Sequence, residues 1–177
     1  MTADLTPTAG QTVGPFFHLA LPYPDDRHLV PAGTPGGLSL HGTVYDGAGD
    51  PVPDALLELW QPDANGDVVQ QPGSLRRDGT TFTGFGRSAT DDEGRYAFTT
   101  VEPAAAFFAV TVFARGLLDR LFTRAYLPDA SDDFLARLAP DRRRTLQTRL
   151  DESGLRFDIH LQGAHETVFL SFPRHRP

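Results

Sequence analysis

From Leu38 the chain alternates: Leu38, Leu40, Gly42 and Val44 fall on one side of an extended backbone, and Ser39, His41, Thr43 and Tyr45 fall on the other. That period of two is what a half-buried strand requires. Asp46-Gly47-Ala48-Gly49-Asp50-Pro51 ends the run with turn-forming residues, and Ala55–Trp60 predicts the return strand. Pro62-Asp63-Ala64-Asn65-Gly66-Asp67 predicts the next turn. Further short strands are predicted over Phe82–Thr90, Arg95–Val101, Ala109–Ala114 and Leu121–Tyr126. Near the end, Phe157, Ile159 and Leu161 alternate with Arg156, Asp158, His160 and Gln162, and Thr167–Phe172 predicts a last strand.

Two stretches depart from this rhythm. Ser131 predicts an N-cap, and Phe134, Leu135, Leu138, Leu146 and Leu150 recur at helical spacing around Pro140, so two short helices are predicted within about 131–152. Residues 1–37 are dense in proline and glycine with little periodicity, which predicts an extended arm in need of a surface to lie on. The pattern as a whole predicts an all-β fold: an antiparallel β-sandwich over residues 38–177 with a short helical excursion and an extended N-terminal arm.

Composition narrows the partners. The chain has 177 residues, enough for one domain with a real core. Its formal net charge of -7 argues against a protein that tracks nucleic-acid phosphates. With no cysteine it has no disulfide, thiolate metal site or cysteine nucleophile. The start, Met1 to Pro7, has neither the basic residues nor the apolar run of a secretion signal, and no apolar stretch approaches membrane-spanning length. A cytoplasmic protein with no membrane partner is expected.

Most candidate chemistry has a structural explanation. The histidines, His18, His28, His41, His160, His165 and His175, show no zinc-ligand spacing and are expected to be surface or hydrogen-bonded residues. Asp63-x-Asn65-x-Asp67 opens like a calcium loop, but the glycine is misplaced and Ser74 stands at the closing acid position, so a turn is expected. Asp91-Asp92-Glu93 and Asp132-Asp133 suit a turn and a helix start, and Arg142-Arg143-Arg144 suits a solvated helix face. Two segments resist that treatment. Gln11-Thr12-Val13-Gly14-Pro15-Phe16-Phe17-His18 carries paired aromatics that need cover. Thr111-Val112-Phe113-Ala114 leads into Arg115-Gly116, which puts a planar guanidinium at a strand end, where composition favours an ordinary surface charge but the fork also suits a carboxylate ligand.

These segments belong to an ordered set: Gln11-Thr12-x-Gly14-Pro15, Gly42-x-Val44-Tyr45-Asp46, Glu58-x-Trp60-Gln61-x-Asp63-Ala64-Asn65-Gly66, Phe85-Gly86-Arg87, Phe113-Ala114-Arg115-Gly116, Thr123-Arg124-x-Tyr126, Arg156-Phe157-Asp158-Ile159 and Gly163-x-x-x-Thr167-Val168-Phe169. In that order they resemble the intradiol ring-cleaving dioxygenase family, in its two-subunit branch, from about Pro7 to Phe172. The resemblance implies an alpha-type subunit without iron, beside a beta subunit that binds non-haem Fe(III) through two tyrosinates and two histidines. The implied reaction joins protocatechuate and O2 to give 3-carboxy-cis,cis-muconate. Laid on this chain, the family pattern puts Val68 and Ala106 at the tyrosine positions and Phe107 and Ala109 at the histidine positions. None of the four can ligate iron, so an empty, packed pseudo-site is expected and the isolated chain is expected to be inactive. The resemblance further implies that arm 1–37 packs on the partner subunit. Substrate contacts are implied for Thr12, Gly14, Pro15 and Arg115, with no catalytic residue in this chain.

A non-catalytic β-sandwich module that binds protein or carbohydrate would account equally well for the strands, turns and acidity. A homomeric catechol dioxygenase would need the missing ligands. Co-purification with an iron-bearing homologue separates the first two readings.

Overall fold

The computed structural model describes residue 14 and residues 17–31, 33–69, 77–78 and 80–172. Within them the strands are β1 Gly37–Tyr45, β2 Leu56–Trp60, β3 Phe85–Ala89, β4 Arg95–Val101, β5 Phe107–Phe113, β6 Leu121–Tyr126, β7 Arg149–Asp151, β8 Gly154–Arg156 and β9 Ile159–His160. The helices are short: α1 Phe17–Ala20, α2 Asp133–Arg137 and α3 Pro140–Arg144. One sheet has the order β4-β1-β8-β7, with β9 also paired to β1, and the other has the order β3-β2-β5-β6. The second sheet is antiparallel throughout. In the first, β1 runs parallel to both β8 and β9. The expected all-β sandwich is the architecture. Among the described residues no helix is long and apolar enough to cross a membrane.

The alternation of each strand decides which side enters the core. Leu40 and Val44 of β1, Tyr96 and Phe98 of β4 and Leu155 of β8 meet Leu57 and Leu59 of β2 and Phe108, Val110 and Val112 of β5 in one cluster. Each such side chain withdrawn from water contributes roughly 1.5–3 kcal/mol. Gly42 sits where β1 changes partner from β8 to β9, and a Cβ there would lie 1.9 Å from the Phe157 carbonyl oxygen. Only glycine allows that approach, and the same carbonyl accepts a bond from the buried Tyr96 hydroxyl at 2.5 Å.

The end of the arm bonds to the sandwich of its own chain. The Asp26 carbonyl accepts from Arg87 N–H on β3 at 2.8 Å; Leu29 N–H donates to the Thr99 carbonyl on β4 at 2.8 Å, and Thr99 N–H to the Arg27 carbonyl at 3.0 Å. Leu29 is 2% exposed, within the main core. A strand-like strap thus bridges an edge strand of each sheet.

The excursion is shorter than predicted. Asp132, not Ser131, caps α2: its backbone is extended, and Oδ1 accepts from Leu135 N–H at 2.8 Å. Pro140 opens α3, as its fixed φ favours. The chain then turns to β7, so Leu150, predicted on a helix, is an exposed strand residue, while Leu135 and Leu146 are buried. Arg143 is not simply solvated, because its guanidinium donates to the carbonyls of Leu135 and Leu138 and caps the end of α2. Residues 167–172 form no strand, but Leu170 N–H bonds the Phe122 carbonyl at 2.7 Å and the Thr123 hydroxyl donates to the Val168 carbonyl at 2.9 Å, so the segment is tied to the β6 edge without a ladder.

Leu29→Ala is expected to lower unfolding free energy by about 2–4 kcal/mol, because it empties a core position and loosens the strap. A urea titration checks this, and a loss below about 0.5 kcal/mol would show that the strap is not part of the cooperative core.

Candidate functional site

Strand β5 carries Phe107 and Ala109, and Arg115 follows two residues past its end. Phe108, Val110 and Val112 enter the core, so Phe107, Ala109, Thr111 and Phe113 face the other side of the sheet. The register places Trp60 of β2 and Arg124 of β6 on either side of Ala109. Trp60 is 45% exposed. The Arg124 guanidinium lies 4.2 Å from the centre of the Phe107 ring and 5.1 Å from that of Phe134.

Arg124 is held by a small polar network. Its Nη1 donates to the Tyr126 hydroxyl at 3.0 Å, and that hydroxyl donates to Asp132 Oδ2 at 2.8 Å. Arg124 Nη1 is itself 3.5 Å from the same carboxylate oxygen. Burial raises the Tyr126 phenol above its ordinary value, the Arg124 bond opposes that rise and Asp132 reinforces it. Burial alone would raise Asp132, but the Leu135 N–H, the Tyr126 hydroxyl and Arg124 outweigh it and hold the carboxyl below the usual range.

The positions expected to form a packed pseudo-site differ from one another. Ala106 and Phe107 pack against the buried cluster of Tyr126, Leu135 and Leu146 under the helices, and the Phe107 ring is 5.1 Å from that of Tyr126. Val68 is 73% exposed, so packing does not extend to it in the single chain. None of Val68, Ala106, Phe107 and Ala109 offers a donor atom, and Arg124 fixes a positive charge over Phe107. These residues do not fit a ferric ion: there is no ligand set, and the nearby charge has the wrong sign.

Arg115 lies beyond the opposite end of β5, roughly 20 Å from Ala109 at extended-strand rise. Its Nε contacts Asp54 Oδ2 at 3.1 Å. Within one chain, then, Arg115 and the Phe107 region do not line a common pocket. Gly14 is exposed, whereas Thr12 and Pro15 lie outside the described residues. A groove of about 1000 Å³ is lined by residues such as Arg142, Arg149, Arg156, Asp158 and His160, and none of the predicted site residues lines it.

The remaining candidates take structural places. Asp63 Oδ1 accepts from the N–H groups of Asn65 and Asp67, and Asp91 Oδ1 from those of Glu93 and Arg95, so both acids close turns. His28 bonds Thr99 and His41 bonds Asp151, each at 3.0 Å. His160 stacks on Tyr45, and burial lowers its pKa. His175 lies outside the described residues. Among the described residues no three His, Asp or Glu side chains gather as a metal-binding group. Sequence reasoning missed three residues here. The sequence places Arg124 in a motif without a role, marks Asp132 only as part of a helix start, and does not single out Asp54. Strand register is the signal that finds Arg124 and Asp54, because it names their neighbours across the sheet.

The geometry is thus a two-sheet sandwich with an exposed arginine just past one end of β5 and no donor atom at Phe107 or Ala109 near the other. The family model described as Dioxygenase matches residues 12–150, and the chain belongs to the intradiol ring-cleaving dioxygenase family. Within it, the chain is 36% identical over 205 residues to the protocatechuate 3,4-dioxygenase alpha chain of Pseudomonas putida, covering 97% of this chain and 100% of the relative. A shorter match, 39% identical over 85 residues, reaches the beta chain of the Burkholderia cepacia enzyme and covers 45% of this chain and 35% of that one. Among solved structures, the dioxygenase domain of a dioxygenase carbohydrate-binding protein fusion from Streptomyces sp. SirexAA-E is similar, with TM-score 0.56 and 26% identity over 90% of this chain and 100% of that chain.

Asp132→Asn keeps an oxygen to cap α2 but removes the charge facing Arg124. The folded carboxyl sits below its unfolded value, so the stability it contributes is present above about pH 4 and is lost as pH falls through the folded value. The variant is expected to be about 1 kcal/mol less stable at pH 7 and to converge on the parent only as pH falls from about 4 through the lower folded value. Denaturation at a series of pH values checks this, and a gap that persists into acid would remove Asp132 as the cause.

Proposed function

We propose that this chain is the iron-free alpha subunit of an alpha–beta enzyme that cleaves protocatechuate between its two hydroxyl-bearing carbons. Both atoms of O2 enter the substrate, the ring carbon–carbon bond breaks, and the product is 3-carboxy-cis,cis-muconate. The observation that carries this reading is the full-length likeness to an alpha chain, joined to four ligand positions that hold only hydrocarbon side chains. The likeness to a beta chain supports a homologous partner. In this reading that partner binds Fe(III), which activates the bound catecholate toward oxygen. The isolated alpha chain is inactive, and the assembled enzyme is cytoplasmic.

This chain's own contribution is binding and orientation. Arg115, at the rim and largely exposed, offers a planar cation to the ring carboxylate, which turns the two hydroxyls toward the partner's centre. Thr12, Gly14 and Pro15 supply a wall of the same pocket, and the arm that precedes the strap lies on the partner. The distance between Arg115 and the Phe107 region supports a pocket completed by the second subunit.

Two measurements test this. The chain expressed alone is expected to hold no stoichiometric iron and to cleave no catechol, while the co-expressed complex does both; iron and turnover in the lone chain would refute the reading. In the complex, Arg115→Ala is expected to raise KM for protocatechuate about tenfold or more, and to change KM for catechol, which lacks the carboxylate, by less than about twofold. Equal losses on both substrates would remove Arg115 from carboxylate binding.

A further inference from the structure

Arg115 follows β5 and Asp54 precedes β2, and the register that sets Leu56 against Phe113 brings the two together when extended by one more pair on that face. Their exposures are unequal: the Arg115 side chain is 61% exposed and that of Asp54 is 12% exposed. The acid is therefore sunk in the rim of the sandwich while the guanidinium reaches out from it. The backbone beneath the acid is pinned. Ala55 N–H donates to Thr90 Oγ1 at 3.0 Å, Thr90 N–H donates to the Ala55 carbonyl at 2.9 Å, and the Thr90 hydroxyl donates to the Val52 carbonyl at 2.8 Å. On the other side, Arg115 is the second residue of a tight turn closed by Leu117 N–H to the Ala114 carbonyl, with Gly116 at φ 92°.

The 3.1 Å contact engages Nε, at the inner edge of the guanidinium. The Nη pair lies beyond it, and that end of the fork matches the two oxygens of a carboxylate. A long, exposed arginine without such a tether samples many rotamers and loses that freedom when it binds. We infer that Asp54 is a positioning residue for substrate: it grips Arg115 at Nε so that the Nη pair is presented, already oriented, to the carboxylate of the aromatic substrate. The inference rests on the role proposed above for Arg115.

The test uses the co-purified alpha–beta complex with Asp54→Asn, Asp54→Glu, Arg115→Ala, Arg115→Lys and the double variant Asp54→Asn/Arg115→Ala, each assayed on protocatechuate and catechol. Asp54→Asn is expected to raise KM for protocatechuate about fivefold to tenfold, to leave kcat within about twofold and to spare catechol. Asp54→Glu recovers part of the loss. The double variant is no worse than Arg115→Ala alone, because the acid acts only through the arginine. Arg115→Lys keeps the charge but lacks the Nε edge, so it shares the defect of Asp54→Asn; should Asp54→Asn fail to assemble, Arg115→Lys with Asp54→Glu decides the matter. Equal effects of Asp54→Asn on both substrates, or none on either while Arg115→Ala still discriminates, would overturn the inference and leave the role of Arg115 standing. If Arg115→Ala itself fails to discriminate, the reading of Arg115 falls and the positioning role falls with it.

Discussion

The two-residue alternation of β5 is the constraint on which the rest depends. Phe108, Val110 and Val112 are locked into the core between the sheets, so Phe107 and Ala109 cannot move to that side without a register slip that would expose the whole strand. The same lock sets what lies beside them. Antiparallel pairing with β2 and β6 puts Trp60 and Arg124 next to Ala109, and two residue pairs past the ladder it puts Asp54 beside Arg115. Packing inside the sandwich thus dictates the chemistry on its outer side.

At one end of β5, that chemistry is incompatible with a metal of high charge. Arg124 has two aromatic neighbours and one carboxylate, a setting in which the cation is stabilised by ring faces as well as by Asp132. Asp132 serves twice, since it also caps α2, and the helix it starts covers the Phe107 side of the sheet. This face of the sheet is organised around a fixed organic cation. At the other end of β5 the arrangement is open, with a half-anchored guanidinium at the rim.

Much of this was legible in the residues. The alternation at Leu38–Tyr45 and Arg95–Val101 marked its strands because nothing local competes with a period of two. That Val68, Ala106, Phe107 and Ala109 carry no donor atom follows from side-chain chemistry and needs no coordinates. What escaped has identifiable causes. Leu150 fits a helical spacing by coincidence, and only the pairing of β7 with β8 overrides it. Residues 26–30 carry too few apolar positions to announce a strap, although Leu29 is as buried as the strands it joins. Asp54 and Arg115 are far apart in sequence, and their contact is a product of register alone.

The strap at Asp26–Leu29 also does something for the chain as a solute. An open sandwich has four outer strands whose free N–H and C=O groups can recruit a neighbour, and β3 and β4 are two of them. By bonding Arg87 on one and Thr99 on the other, a single short segment blunts two sticky rims at once. An N-terminal deletion that runs past Asp26 would therefore invite edge-to-edge aggregation, and clumping of such a truncated protein would say nothing about what the preceding residues touch in an assembly.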